Sequence, residues 1–294
     1  GEWDMKLNKN ISFLLRPSVN IGRGEYESFN EFNTRTNSDS TNRGVSRDFG
    51  ENHNESIGTM MLWRFKFNKP GRSMSVNARY NYSNNESDGF NKSETFYFKN
   101  NAIDSTSIID QNVLRKENTN SINARLSYIE PLGKNFFIEG AYRYSYKKTD
   151  SDKNTYSMGE DGRYSVWDPT YSTNYENTFI TQQAELNFMK QEEKYNITIG
   201  GNMQPSTTKS VGQGRDTSYS VVNFSPAARI DYRFSDSKFL RVRYRGRTSQ
   251  PSINQLMPVN DNSDPLKITE GNPNLKPEFT HSLSTEYRTN NRAK

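Results

Sequence analysis

Tyr219 to Arg247 constrains this chain more than any other stretch. Val222, Phe224, Pro226, Ala228, Ile230 and Tyr232 alternate with Asn223, Ser225, Ala227, Arg229, Asp231 and Arg233. After the short break Ser235-Asp236-Ser237-Lys238, Leu240, Val242 and Tyr244 alternate with Arg241, Arg243, Arg245 and Arg247. Side chains of a strand point to opposite faces with a period of two. The stretch therefore predicts a hairpin with one apolar, aromatic face and one densely cationic face. The apolar face needs a dry neighbour, and the arginine row needs water or anions. A membrane β-barrel supplies both, with lipid outside and a wet lumen inside.

The same texture recurs along the chain. Ile11, Phe13, Leu15, Pro17, Val19 and Ile21 share one face, although Leu14 interrupts the polar one. Met61, Trp63, Phe65 and Phe67 lead through Asn68-Lys69-Pro70-Gly71-Arg72 to Met74, Val76, Ala78, Tyr80 and Tyr82. Pro presets φ and Gly supplies a positive φ in such a turn. Ile122, Ala124, Leu126 and Tyr128 precede a turn read at 130–134, and Phe136, Ile138, Gly140, Tyr142, Tyr144 and Tyr146 return. Ile180, Ala184, Leu186 and Phe188 follow, with Gln182 on their apolar side; the chain then turns at 191–194 into Tyr195, Ile197, Ile199 and Met203. Phe279, Leu283 and Tyr287 mark a last strand, giving about ten in all. Residues 1–10 read as a polar lead-in.

Connection lengths sort by parity. Short turns fall near 68–72, 130–134, 191–194 and 235–238; long polar connections, read as loops, fall at 29–54, 84–117, 147–175, 204–218 and 250–278. Glu94 to Phe98 reads as a possible hairpin extension inside one of them. An outer-membrane barrel, with short periplasmic turns and long extracellular loops, imposes this asymmetry. A compact soluble domain tolerates few structureless loops of such length. The expected fold is an all-β, antiparallel up-and-down transmembrane barrel, here a partial one, with residues 1–294 forming part of a single domain.

Composition agrees with strands that bury one face. Only 31% of the 294 residues are hydrophobic and mean hydropathy is -1.02, yet there are 17 Tyr, 17 Phe and 3 Trp. Low hydropathy alone would suggest disorder, which this aromatic content contradicts. No apolar run approaches the ~20 residues of a membrane helix, a fact that leaves barrel strands untouched. The Tyr residues toward strand ends suit interfacial aromatic girdles. With 0 Cys there is no disulfide framework or thiolate metal site. A net charge of +5 with interspersed signs gives no global nucleic-acid surface. The chain opens in the polar Gly1-Glu2-Trp3-Asp4, so no signal peptide is expected.

No catalytic constellation stands out: His53 and His281 are far apart without metal-ligating neighbours, and Gly22-Arg23-Gly24 and Gly212-Gln213-Gly214 lie in loop-like sequence. The expectation is a non-enzymatic protein without cofactor or metal. The candidate site is the polar face, with Arg125, Arg143, Arg229, Arg233, Arg241, Arg243, Arg245 and Arg247 facing one way. Two readings stand open: a surface for an anionic or hydroxylated solute or for a plug, or a hydrated wall paired with Asp231, Glu139 and Glu185.

Arg247-Thr248-Ser249-Gln250-Pro251-Ser252-Ile253-Asn254-Gln255-Leu256, followed by Glu270-Gly271-Asn272-Pro273-Asn274-Leu275-Lys276-Pro277-Glu278, resembles the barrel of TonB-dependent outer-membrane receptors. Asn272, Pro273, Leu275, Pro277 and Glu278 carry that motif. The turn Phe67 to Ser73 also resembles outer-membrane β-barrel proteins of Bacteroidetes. The resemblance implies residence in the bacterial outer membrane, contact with its lipid, and energised uptake of an iron chelate, cobalamin, oligosaccharide or peptide. It also implies a plug domain and TonB as partners through parts outside this chain. Members typically have 22 strands, a plug and a TonB-box; their absence here predicts a barrel fragment. Alternatives are a non-transport barrel (adhesin or assembly protein) and a soluble all-β surface binding protein.

Overall fold

The computed structural model describes residues 1–36, 39–100, 102–212, 215–249, 255, 275 and 278–289. Twelve strands form one antiparallel sheet. They are β1 (Trp3–Asn8), β2 (Ile11–Thr36), β3 (Asp39–Lys66), β4 (Ser73–Lys99), β5 (Ala102–Gly133), β6 (Phe136–Met158), β7 (Tyr164–Trp167), β8 (Thr173–Gln191), β9 (Tyr195–Gly212), β10 (Arg215–Ser235), β11 (Lys238–Ser249) and β12 (Glu278–Thr289). Each strand pairs with the next in sequence, except that β7 is a short spur on β6 and β8 takes the main place beside β6. The sheet is up-and-down and open, with β1 and β12 at its two ends.

The alternating segments form the turn-proximal half of each long strand, β2–β6 and β8–β10. Three short turns sit where they are expected, between Lys66 and Ser73, Gln191 and Tyr195, and Ser235 and Lys238. The fourth is shifted: β5 continues through Glu130 and Pro131, and the chain reverses at Lys134 and Asn135, both with positive φ (46° and 63°). Gly133, at φ 101°, begins that reversal without a Cβ penalty.

Three expectations are corrected. The lead-in at 1–10 contains an edge strand, β1, whose Trp3 and Met5 pair with Leu15 and Phe13. The connections at 29–54, 84–117, 147–175 and 204–218 are largely strand rather than loop, and Gly22 and Gly24 lie within β2. With β1 and the β7 spur the count among the described residues is twelve rather than about ten. The reason is that a ladder satisfies backbone groups whatever the side chains are. Beyond the membrane both faces are wet, so apolar alternation fades while pairing continues. Cross-strand ion pairs replace it: Arg47 with Glu27 at 2.7 Å, Lys116 with Glu86 at 2.8 Å, and Lys92 with Asp110 at 3.3 Å. The asymmetry of reach persists, because tight turns lie at one end and long hairpin arms at the other. The connection at 250–278 falls almost wholly outside the described residues.

Burial is inverted relative to a soluble sheet. Leu126, Leu186, Phe188, Ile199, Met203 and Phe224 are exposed, while Ser127, Asn187, Ser206, Asn223 and Ser225 are buried. Among the described residues Leu14, 5% exposed, is the only large apolar side chain counted as buried. It sits opposite Leu62 on the polar face, which accounts for the break it makes in the sequence pattern. The polar face is the less accessible one, as the inner side of a curved sheet must be. An apolar face this continuous requires a non-aqueous neighbour. Gln182 on that face is satisfied by the Tyr142 hydroxyl, which donates to its Oε1 at 2.7 Å.

Candidate functional site

Cross-strand partners share a face, so the register locates every candidate arginine. Arg125 lies opposite Arg143, and Arg229 opposite Arg243. Arg241 lies opposite Asp231 and Glu286, and Arg233 opposite Phe239. Arg245 and Arg247 face Ser282 and Thr280 of β12. From Arg143 the face runs through Gln183 and Glu185 of β8 to Asn202 of β9 and Ser225 of β10, and by alternation reaches Arg229.

The eight arginines separate into two environments. Arg125 belongs to a neutralised knot across β5, β6 and β8. Its Nη2 donates to Glu139 Oε1 at 3.2 Å and to Glu185 Oε2 at 3.4 Å. Ser127 Oγ donates to Glu139 at 2.7 Å, and Asn187 Nδ2 bridges Glu139 and Glu185 at 3.2 and 2.7 Å. Both carboxylates are thereby held by donors. Arg143 is exposed beside this knot.

The second environment spans β10, β11 and β12. Asp231 accepts from Arg229 Nε at 2.6 Å and from Arg241, whose Nη1 also meets Glu286 at 3.3 Å. Arg233, Arg243, Arg245 and Arg247 are exposed and have no carboxylate partner among the described residues. Arg288, opposite Phe239, brings a further guanidinium to this wall and pairs with Glu286 at 2.5 Å. Arg288 stands at a polar position of the last strand's alternation, and only the β11–β12 register brings it beside the arginine row. The wall is thus a cationic patch only partly neutralised. Guanidinium groups in this setting bind carboxylate, phosphate or other oxyanions by paired N–H donors.

Of the motif residues, Glu278 opens β12 opposite Ser249. Leu275 is exposed outside any strand; Asn272, Pro273 and Pro277 lie outside the described residues. His281 sits at the apolar face, where the Tyr244 hydroxyl and His281 Nδ1 are 3.0 Å apart and Phe279 meets its ring edge-on. His53 is occupied by Arg23 and Glu55.

At the turn end, outside the spanning segments, Glu130 ties two turns together. It takes Lys69 Nζ at 2.7 Å, Arg72 Nε at 2.8 Å and the Tyr128 hydroxyl at 2.7 Å. These donors, Arg72 first, hold its carboxyl far below the usual carboxylate range.

Comparison with known proteins agrees with this architecture. The ferric preacinetobactin receptor BauA of Acinetobacter baumannii superposes with a TM-score of 0.52 at 11% identity, over 99% of this chain and 49% of its own. The unliganded ferric citrate transporter FecA gives 0.48 at 12% identity, again over 99% of this chain and 49% of its own. This chain therefore spans about half the length of these structures, and at 11% identity the likeness to BauA concerns fold alone. No curated protein matches the sequence. The outer membrane protein beta-barrel family matches residues 65–294, most of the chain. With its inverted two-faced sheet, its tight turns at one end and its long arms at the other, the chain belongs to that family and is a wall of a bacterial outer-membrane β-barrel.

Proposed function

We propose that this chain forms part of the barrel of an outer-membrane receptor that takes up an anionic solute in a TonB-dependent manner. The polar face lines the lumen, and the arginine wall of β10–β12 draws the solute in. A plug domain and TonB act with it through other parts of the protein. The observation that carries this reading is the row Arg243, Arg245 and Arg247, exposed and without carboxylate partners among the described residues, beside the ion-paired Arg229 and Arg241. Uncompensated guanidinium groups on a confined wall concentrate anions, because low-dielectric walls focus their field. The structural likeness to receptors for ferric chelates supports a receptor barrel, and anionic ferric chelates head the candidate solutes. Cobalamin, oligosaccharides and peptides are the alternatives within the same mechanism.

The test uses cells expressing the full-length protein, with and without a functional TonB system. They are offered ferric chelates, acidic oligosaccharides, peptides and cobalamin. TonB-dependent accumulation of an anionic member is expected, falling at least tenfold in an Arg243→Glu/Arg245→Glu variant that still reaches the membrane folded. Accumulation that ignores TonB or the double charge reversal, or no accumulation at all, refutes the reading.

A further inference from the structure

The arms above the membrane carry a second surface, on the opposite face from the arginine wall. It continues the lipid-facing side of β3, β4 and β6 upward. Ile57 pairs with Tyr82, and above it the side turns polar through Glu55–Asn84, His53–Glu86 and Glu51–Asp88. Four pairs higher, Phe49 and Phe90 face each other with ring centroids 5.3 Å apart and planes at 22°. Tyr164 of the β7 spur extends the row, 5.2 Å from Phe90. The Arg47 guanidinium caps one end, 4.7 Å over the Phe49 ring, and Lys92 lies 5.9 Å from the Tyr164 ring at the other. Asp110 fixes Tyr164 by accepting its hydroxyl at 2.7 Å, so the spur is held in place. A cleft of about 520 Å³ opens along Phe49 and Phe90, edged by Glu25, Glu51 and Asp88. The same three carboxylates border a second groove of about 940 Å³ that runs back toward the membrane through His53, Glu86 and Lys116. The two form one continuous trough.

We propose that this trough binds the saccharide chain of a glycolipid standing in the outer leaflet beside the barrel. Three observations point to that occupant. First, the trough is continuous with the lipid-facing side and begins where that side turns polar. Ile57 to Phe49 is eight residues, roughly 26 Å along the strand at ~3.3 Å per residue; the usual barrel tilt reduces this to roughly 20 Å of height. That is the depth at which sugars, rather than acyl chains, surround the protein. Second, the chemistry is that of a hydroxyl-rich ligand. Carboxylates along the trough accept sugar hydroxyls, Arg23 and Lys116 donate to sugar oxygens, and the aromatic row, whose faces are largely covered by one another and by Arg47 and Lys92, presents ring edges to pyranose C–H groups. Third, the carboxylates weigh against the other occupants. A protein interface core is depleted of charge, and the carboxylates Glu25, Glu27, Glu51, Glu86, Asp88 and Asp152 outnumber the cations Arg23, Arg47, Arg115 and Lys116 along the trough, which disfavours a lone phosphate. The site is independent of uptake, since it lies on the opposite face from the arginine wall.

The experiment uses the full-length protein in nanodiscs. Its probes are the intact glycolipid of the producing strain and the polysaccharide released from it by mild acid. Wild-type protein is expected to retain the released polysaccharide. Phe49→Ala/Phe90→Ala should weaken binding at least tenfold. Glu51→Gln/Asp88→Asn, which leaves the ring packing intact, should weaken it severalfold, while Arg243→Glu/Arg245→Glu should leave it unchanged. Retention of intact glycolipid but not of free polysaccharide would place the contact at the lipid and overturn the proposal. So would unchanged binding by the carboxylate variant, or failure of the wild type to bind either probe.

Discussion

Ile199→Arg tests the assignment of faces directly. Ile199 is flanked on both sides, by Phe188 of β8 and Ala228 of β10, and is 58% exposed on the apolar face. It stands four residues past Tyr195, roughly 13 Å along the strand at ~3.3 Å per residue. A tilt of about 40° puts it roughly 10 Å above the turn, close to the middle of an apolar band about 25 Å tall. Arginine at the lipid-facing midplane costs about 2–4 kcal/mol, which is between about one and three powers of ten in the folded-to-unfolded ratio. The control is Thr198→Arg, one residue away at nearly the same depth but on the polar face, opposite Arg229. There the new cation meets water, and repulsion from Arg229 is limited to less than about 1 kcal/mol. Guanidinium unfolding of the full-length protein in thin-bilayer vesicles, followed by tryptophan fluorescence and heat-modifiable gel migration, reads both. Equal losses, or a larger loss at Thr198, would refute the two-faced membrane reading.

Other outcomes follow from the same geometry. Tyr142→Phe strands the Gln182 carbonyl against lipid and should cost about 1–3 kcal/mol, whereas Tyr142→Phe/Gln182→Leu, which removes both partners, should be nearly neutral; the same unfolding assay distinguishes them. The folded-state pKa of Glu130 is depressed by Arg72, Lys69 and Tyr128, so its contribution is present above the unfolded carboxylate value and disappears as pH falls through the lower folded value. Wild-type unfolding midpoints should therefore be flat with respect to this group from neutral pH to about 5, and Glu130→Gln should lower the midpoint there and abolish the acid-dependent part. Lys134, a non-glycine residue at φ 46°, carries left-handed strain; Lys134→Gly should stabilise by up to about 1 kcal/mol, and a loss instead would mean the turn depends on that side chain.

Much of the fold was legible because a barrel writes its two solvents into the chain at period two. Val222 to Tyr232 against Asn223 to Arg233, or Leu126 against Arg125 and Ser127, needs no tertiary information to be read as a two-faced strand. The tight turns were visible through Pro70-Gly71 and the polar breaks at 191–194 and 235–238. Legibility ended where that contrast ended. Above Ile57 and Tyr82 both faces meet water, so Phe29 to Asn54 and Asn84 to Glu117 look like loops although they are continuous ladders. Trp3 to Asn8 alternates Trp3, Met5 and Leu7 with Asp4, Lys6 and Asn8, but three repeats in so short a segment are too few to separate a strand from a lead-in, and only the pairing with β2 settles it. The arginine face shows the same division. Period two put the eight candidates on one side of their strands, and only the register showed that Arg125 is held by Glu139 and Glu185 while Arg243, Arg245 and Arg247 face serine, threonine or another arginine. The sequence by itself determined which side of each strand is wet, since that depends on local alternation. Tertiary structure alone decided which charges cancel, how far the arms reach and that Phe49, Phe90 and Tyr164 stand in one row, because these follow from pairing between residues far apart in the chain.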